Sequence, residues 1–362
     1  MEKKTVSIKL KKYSQLYLLG LFLLFFLNSC KHKGPILSRY RQTNLVANKP
    51  GYGMAKIDTT LTNAWGIAFG PSGIAWVNAN GSGLSELYDK NGTSIRPGVN
   101  IPGPEFPKGN PGSPTGIVFS GGADFKINGK PAYFIFVAED GIISAWSGGN
   151  DAIIAKDEST NAIYKGVALA EDAGANFLYA ANFKTRQIDV FDHSWNKVSR
   201  PFTDPLLPAD YSPFNIQNID NKLYVLYAKK IGDERDETTG AGFGIVDIYN
   251  PNGMFVQRFI SNGALNAPWG IAKAPAVFFD DRDNDSEDMI LVGNFGDGKI
   301  NAYHLNGTLK GPLSSHETPI VIAGLWGISF APSTATSIDP GKLFFAAGPA
   351  KEADGLFGFI EK

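Results

Sequence analysis

The sequence predicts an all-β fold, a six-bladed β-propeller, from three observations. A short motif recurs six times at intervals of roughly 50 residues, a period that belongs to propellers and repeat arrays. Each copy is followed by further short β-rich runs separated by Gly- or Asn-marked turns, about four strands to a repeat. The sixth repeat stops after three runs at Lys362, and an orphan strand around Asn44-Leu45-Val46 supplies the missing one. Joining first to last closes the ring and leaves no unpaired blade edge, which a solenoid would have to cap. The composition agrees, with 41 Gly, 22 Pro, 25 Phe, 13 Tyr and six Trp and no long stripe of helical period.

The N-terminus comes first. Lys3, Lys4, Lys9, Lys11 and Lys12 precede an apolar run from Leu16 to Leu27, short for a membrane span and suited to a signal peptide. The run ends in Leu27-Asn28-Ser29-Cys30, which resembles a bacterial lipobox, and Cys30 is the only cysteine of the chain. We expect residues 1–29 to be removed and Cys30 to be acylated, tying the protein to a membrane. Lys31-His32-Lys33-Gly34 carries no acidic export run, so the expected location is the bacterial cell envelope, facing the periplasm. Residues 30–40 read as a tether and 41–362 as the propeller. The first 29 residues hold five Lys and one Glu, so the remainder is mildly acidic, and without a basic stripe nucleic acid is excluded as a partner.

The repeats follow. Their openings are Asn63-Ala64-Trp65-Gly66-Ile67, Pro114-Thr115-Gly116-Ile117, Tyr164-Lys165-Gly166-Val167, Pro213-Phe214-Asn215-Ile216, Pro268-Trp269-Gly270-Ile271 and Leu325-Trp326-Gly327-Ile328. Their third runs share an aromatic followed by a turn former: Tyr88-Asp89, Phe191-Asp192, Tyr249-Asn250, Tyr303-His304. Repeat four carries a polar insertion, Gly232–Gly240, whose direction the sequence leaves open.

Several of these stretches carry a resemblance. Asn44-Leu45-Val46, Asn63-Ala64-Trp65-Gly66-Ile67, Leu291-Val292-Gly293-Asn294-Phe295-Gly296-Asp297-Gly298-Lys299-Ile300-Asn301-Ala302-Tyr303, Gly324-Leu325-Trp326-Gly327 and Phe345-Ala346-Ala347-Gly348-Pro349 together resemble an uncharacterised bacterial family of exported, propeller-like proteins. Some of its members have a C-terminal sorting anchor, which this chain replaces with a final strand and Cys30. More distantly the repeat is similar to NHL repeats and to six-bladed lactonases and gluconolactonases.

The first strand of a blade lines the central channel, so Trp65, Thr115, Lys165, Phe214, Trp269 and Trp326 are expected near its mouth. Loops between second and third strands add Glu139, Asn182 and Asn294. Aromatic walls with scattered amides suit a sugar ring or a peptide. The alternative is that the tryptophans pack between blades and touch no ligand. A lactonase-type hydrolase needs several oxygen ligands converging on a divalent metal. The ring offers mostly aromatics and one Lys, so the expectation is a non-enzymatic binding or scaffolding module, monomeric, for a glycan, peptide or protein partner. Calcium is the one cofactor considered, at Asp281, Asp283 and Asp285, whose alternate spacing resembles a calcium loop without its turn glycine and terminal Glu. Gly293–Lys299 imitates a P-loop but is followed by Ile300 and a strand, so it reads as a turn.

Overall fold

The computed structural model describes residues 37–53, 55–121, 124–232, 235–279 and 288–362. Cys30 and Asp281, Asp283 and Asp285 lie outside them. The repeats fold into six antiparallel sheets arranged as the blades of a propeller. Blade 1 is Ala64–Phe69, Ala75–Ala79, Leu84–Tyr88 and Ser94–Asn100; blade 2 is Pro114–Phe119, Phe134–Ala138, Ile142–Trp146 and Ile153–Asp157. Blade 3 comprises Tyr164–Asp172, Ala175–Asn182, Gln187–Phe191 and Lys197–Val198, and blade 4 Tyr211–Ile219, Lys222–Lys229, Ile245–Tyr249 and Phe255–Ser261. Blade 5 is Pro268–Ala274, Met289–Asn294, Ile300–His304 and Leu309–Pro312. In every blade the motif strand is innermost.

Blade 6 is the composite one. Leu325–Phe330, Leu343–Ala347 and Leu356–Glu361 come from the C-terminus, and Arg41–Ala47 completes the sheet antiparallel to the last of them, from Arg41 opposite Glu361 to Ala47 opposite Leu356. The expected closure by the N-terminal strand is thus observed, with a bulge between Asn44 and Val46. A further short strand, Lys56–Ile57, joins Arg41–Ala47 in parallel and makes this blade five-stranded. The closing strand is anchored by more than its ladder. Asn48 and Gly355 exchange hydrogen bonds, and Lys49 pairs with Asp354 at 2.8 Å. The compact body also starts earlier than the expected tether end at Tyr40. Leu37 and Tyr40 are buried, Tyr40 stacks on Phe278, and the Ser314 N–H donates to the Leu37 carbonyl.

Strand side chains alternate between the two faces of each sheet, so every blade packs on both neighbours, and the core consists of six interblade layers. This explains the aromatic of the third run. Tyr88, Phe191, Tyr249 and Tyr303 are each fully covered in a different layer. The polar residue behind it then caps the outer turn: Asp89 accepts from the Asn91 and Thr93 N–H groups, and Asp192 from those of Ser194 and Asn196.

The motif glycine has an equally concrete cause. The six inner strands converge towards the axis, and each glycine faces the backbone of the next blade. A Cβ on Gly66 would lie 2.3 Å from the Thr115 carbonyl oxygen, on Gly116 2.7 Å from the Val167 nitrogen, and on Gly166 2.8 Å from the Asn215 Cα. On Gly270 it would lie 2.7 Å from the Trp326 oxygen, and on Gly327 2.6 Å from that of Trp65. Asn215 breaks the pattern but completes the circle, its Nδ2 donating to the Trp269 carbonyl at 2.6 Å. Gly327→Ala should therefore lower the melting temperature by about 2–10 °C, the result of about 1–3 kcal/mol of overpacking or somewhat more. Gly70→Ala, where the nearest atom is 3.6 Å away, is the control and should leave the melt unchanged.

Candidate functional site

The tight ring divides the axis into two unlike ends. At the end where the inner strands begin, Trp65, Phe183, Phe214, Trp269 and Trp326 form a seventh apolar cluster on the axis itself. Trp65 and Trp326 stack with centroids 3.7 Å apart, Trp269 meets both edge-on at 6.3 and 6.0 Å, and Phe295 stacks on Trp326 at 4.1 Å. Trp326 Nε1 donates to Asn63 Oδ1 at 3.0 Å, and Trp269 Nε1 reaches across the axis to the Lys165 carbonyl at 3.0 Å. The tryptophans neither separate blades nor form an open aromatic mouth. They are 1–5% exposed, and their faces cover one another as a plug.

A polar layer lies against the plug. Lys165 is 1% exposed, with its Nζ 5.4 Å from the centre of the Trp65 ring and 2.5 Å from Glu139 Oε1. Asn80 Nδ2 donates to Glu139 Oε2 at 3.1 Å, and Arg235 approaches the same carboxylate at 3.5 Å. Asp236 lies 3.3 Å from Lys165, and Asn63 Nδ2 donates to Glu352 at 2.8 Å. Arg235 and Asp236 belong to the insertion of repeat four, so its described part reaches the polar layer against the plug. Burial pushes the Glu139 carboxyl up, but Lys165, with help from Arg235 and Asn80, more than offsets this and holds it below the usual range. Burial likewise disfavours the Lys165 ammonium, and Glu139 with its acidic neighbours reverses the effect and raises it. The pair is ionised.

Two acids beside this pair behave differently. Burial raises Glu237 to about 7, and it also raises Glu352, despite the hydrogen bond from Asn63. An acid whose pKa is raised on folding binds more protons folded than unfolded, between its unfolded value and about 7. It therefore favours the folded state fully at low pH, and that contribution is lost as pH rises through neutrality. Asp247, buried beside Arg258, is also raised to about 7 and adds to the same slope. The melting temperature should fall between pH 5 and 8. Glu237→Gln should flatten that fall in part, which a series of melts across the range checks.

Other expected site residues have structural employment. Thr115 Oγ1 lies 3.1 Å from the Val137 carbonyl and 2.9 Å from that of Tyr164, which share its one proton and stitch blade 2 to blade 3. Asn182 Oδ1 accepts from the Ile163 and Thr185 N–H groups while its Nδ2 donates to Asp189. Asn294 serves the equivalent loop of blade 5 through Asn266, Ala264 and Asp297. Glu139, Asn182 and Asn294 are thus spent on separate partners and do not converge. Among the described residues no group of three acidic, His or Cys side chains is placed to hold a metal ion.

The other end of the axis is open. Beyond Trp269 lies a cavity of about 450 Å³ lined by the six motif strands, a size usual for small-molecule sites. Its walls have two characters. Blades 1–3 supply Ala68, Phe69, Val118, Phe119, Ala168 and Leu169, whereas blades 4–6 mix Gln217, Asn218, Lys273 and Ser329 with Ala272 and Phe330 at the matching positions. Gln217 and Asp220 are exposed at the mouth. Lys273 is held by Asp220 at 2.6 Å and Asp288 at 2.8 Å. Each motif strand is also the edge of its sheet, so its second row of backbone donors and acceptors faces the lumen. This half of the site was not expected from the sequence, although Gln217-Asn218 is visible there as the copy in which both positions after the apolar residue are polar.

Comparison with known proteins follows from this geometry. No family model matches the chain. It is 33% identical over 327 residues to uncharacterized protein L690 of Acanthamoeba polyphaga mimivirus, covering 85% of this chain and 82% of that one. It is 34% identical over 336 residues to uncharacterized protein R648 of the same virus, covering 88% and 79%. These relatives are viral and lend no support to the bacterial family that the sequence resembles. Among solved structures, a catalytically inactive virginiamycin B lyase from Staphylococcus aureus with quinupristin superposes with a TM-score of 0.51 at 13% identity, over 90% of this chain and 99% of the lyase. A protein of unknown function from Bacteroides thetaiotaomicron gives 0.51 at 13%, over 89% and 77%. At such identity the likeness is one of fold.

Proposed function

We propose that this chain, which belongs to the family of those two mimivirus proteins, is a non-catalytic binding propeller that takes a small ligand or chain end into the open half of its axial channel. The observation that carries the reading is the asymmetry of the axis. One end is filled by stacked tryptophans under an ionised Lys165–Glu139 pair, and the other is a lined cavity with polar groups on one side only. A hydrolase would need a nucleophile or a metal with convergent oxygens, and the side chains nominated for that role hold loops in place instead.

Ser329→Trp, which puts an indole into the cavity near its mouth, supplies the test. Small molecules that raise the melting temperature of the intact chain are screened, and each hit is repeated on the variant. Hits that disappear in Ser329→Trp support channel binding. Hits indifferent to it, or turnover of lactones or esters by the intact chain, overturn the reading. Attachment to a membrane through an acylated Cys30, on the periplasmic side of a bacterial envelope, belongs to the same proposal and rests on Leu27-Asn28-Ser29-Cys30 and the apolar run before it. The mass of the mature N-terminal peptide checks it: a lipid-modified Cys30 is expected, and an unmodified Met1 would exclude it.

A further inference from the structure

We infer that the channel ligand is an uncharged saccharide end, held with its hydroxyl-rich side against blades 4–6 and its C–H side against blades 1–3. The inference rests on the binding role proposed above and names the ligand class. Three features of the cavity lead to it.

The first is the split wall. A ligand that fills the cavity meets the amides and hydroxyl of Gln217, Asn218 and Ser329, interspersed with Ala272 and Phe330, on one side, and only apolar side chains such as Val118, Phe119 and Leu169 on the other. It must therefore be two-faced over the width of a single small molecule. A pyranose meets this requirement, because its hydroxyls lie at the rim while its axial C–H bonds make an apolar face that packs on aromatic and aliphatic carbon. A uniformly apolar acyl chain would cover the exposed Gln217 amide without offering it a partner, at the cost of burying a polar group.

The second is charge. Lys273 is the one cation lining the cavity among the described residues, and its two partners, Asp220 and Asp288, leave the trio with one net negative charge. An anionic ligand would have to displace Asp220 to reach the ammonium. A cationic one would meet a carboxylate engaged elsewhere. The rim thus repels an anion and offers a cation only carboxylates that Lys273 already holds.

The third is the kind of hydrogen bonding on offer. Edge strands present N–H donors and C=O acceptors alternately, so a suitable ligand group both donates and accepts. Hydroxyls do so at every position. Gln217, exposed at the mouth, adds a side-chain amide that does both, whereas the Asn218 Nδ2 is committed to the Leu169 carbonyl at 2.7 Å.

The experiment titrates the full chain with three neutral disaccharides (maltose, cellobiose and diacetylchitobiose), with glucuronate and glucosamine as charged sugars, and with an uncharged Ala-Gly-Ser peptide, following melting temperature and heat of binding. A neutral disaccharide should bind. Gln217→Leu, at an exposed position that the core does not need, should weaken it about tenfold, as expected for the loss of one or two hydrogen bonds. Ser329→Trp should abolish binding. Silence from all three disaccharides overturns the saccharide class. Peptide binding that Ser329→Trp removes, without any sugar binding, overturns the class while leaving channel binding in place. Sugar binding that neither variant alters overturns the site itself.

Discussion

A chain that begins at Asn48 should fail to fold as a ring. The lost strand, Arg41–Ala47, pairs with Leu356–Glu361 along its whole length, and Val46 and Ala47 are buried in the layers on either side of blade 6. Without it, blade 6 ends in a bare edge whose neighbours Phe357, Phe359 and Ile360 lose their cover. Such an apolar edge invites pairing between molecules. We expect insoluble or aggregating protein with no cooperative melt, followed by circular dichroism and light scattering. A synthetic peptide of residues 37–47 added during refolding should restore part of the soluble, cooperatively melting species. A truncated chain that melts within about 5 °C of the intact one would show that the strand closes nothing.

Trp326→Ala should be the most damaging single substitution among the plug residues. Its ring lies against Trp65, Phe295, Phe214 and Trp269, and its Nε1 supplies a hydrogen bond that Asn63 would lose. Truncating a buried Trp costs about 3–5 kcal/mol, which lowers the melting temperature by about 6–15 °C in a domain of this size. Trp146→Ala removes a ring that is only partly buried and should cost less than half as much. If the two variants melt together, the axial cluster is not a cohesive unit. Trp326→Phe should recover most of the loss, because a ring remains to stack on Trp65.

Much of this architecture could be read from periodicity because its causes are local and repeated. Gly66, Gly116, Gly166, Gly270 and Gly327 recur since the same backbone approach recurs between successive blades. Tyr88, Phe191, Tyr249 and Tyr303 recur since each fills the equivalent place in its own interblade layer. The closing strand was legible from a deficit, three runs in the last repeat and one spare run at the start. The site was less legible, for reasons that are also physical. Whether Trp65, Trp269 and Trp326 line a mouth or fill it depends on how their rings meet, and indoles contributed by three blades can stack only once the ring is closed. Glu352 comes to Asn63 across 289 positions of sequence, and a loop such as Gly232–Gly240 carries no mark of which way it turns. The open cavity hides in a different way. Its polarity comes from departures at two adjacent register positions, Gln217 and Ser329 at one and Asn218 and Lys273 at the next, and a reader who looks for what repeats passes over what does not.

The route by which the chain enters and leaves the ring has a mechanical consequence. Arg41 and Glu361 are opposite one another at the end of blade 6 where the cavity opens, and their side chains pair at 2.6 Å. Once the contacts of Leu37 and Tyr40 have given way, a pull between the two termini would therefore open that ladder from its first rung, one pair at a time. A pull on the N-terminus resisted at the plug end of the same blade would instead run along the strand and load all its pairs together. The clasp is thus directional: weak when the ends are drawn apart, and strong when tension passes from the N-terminal segment through the body of the propeller.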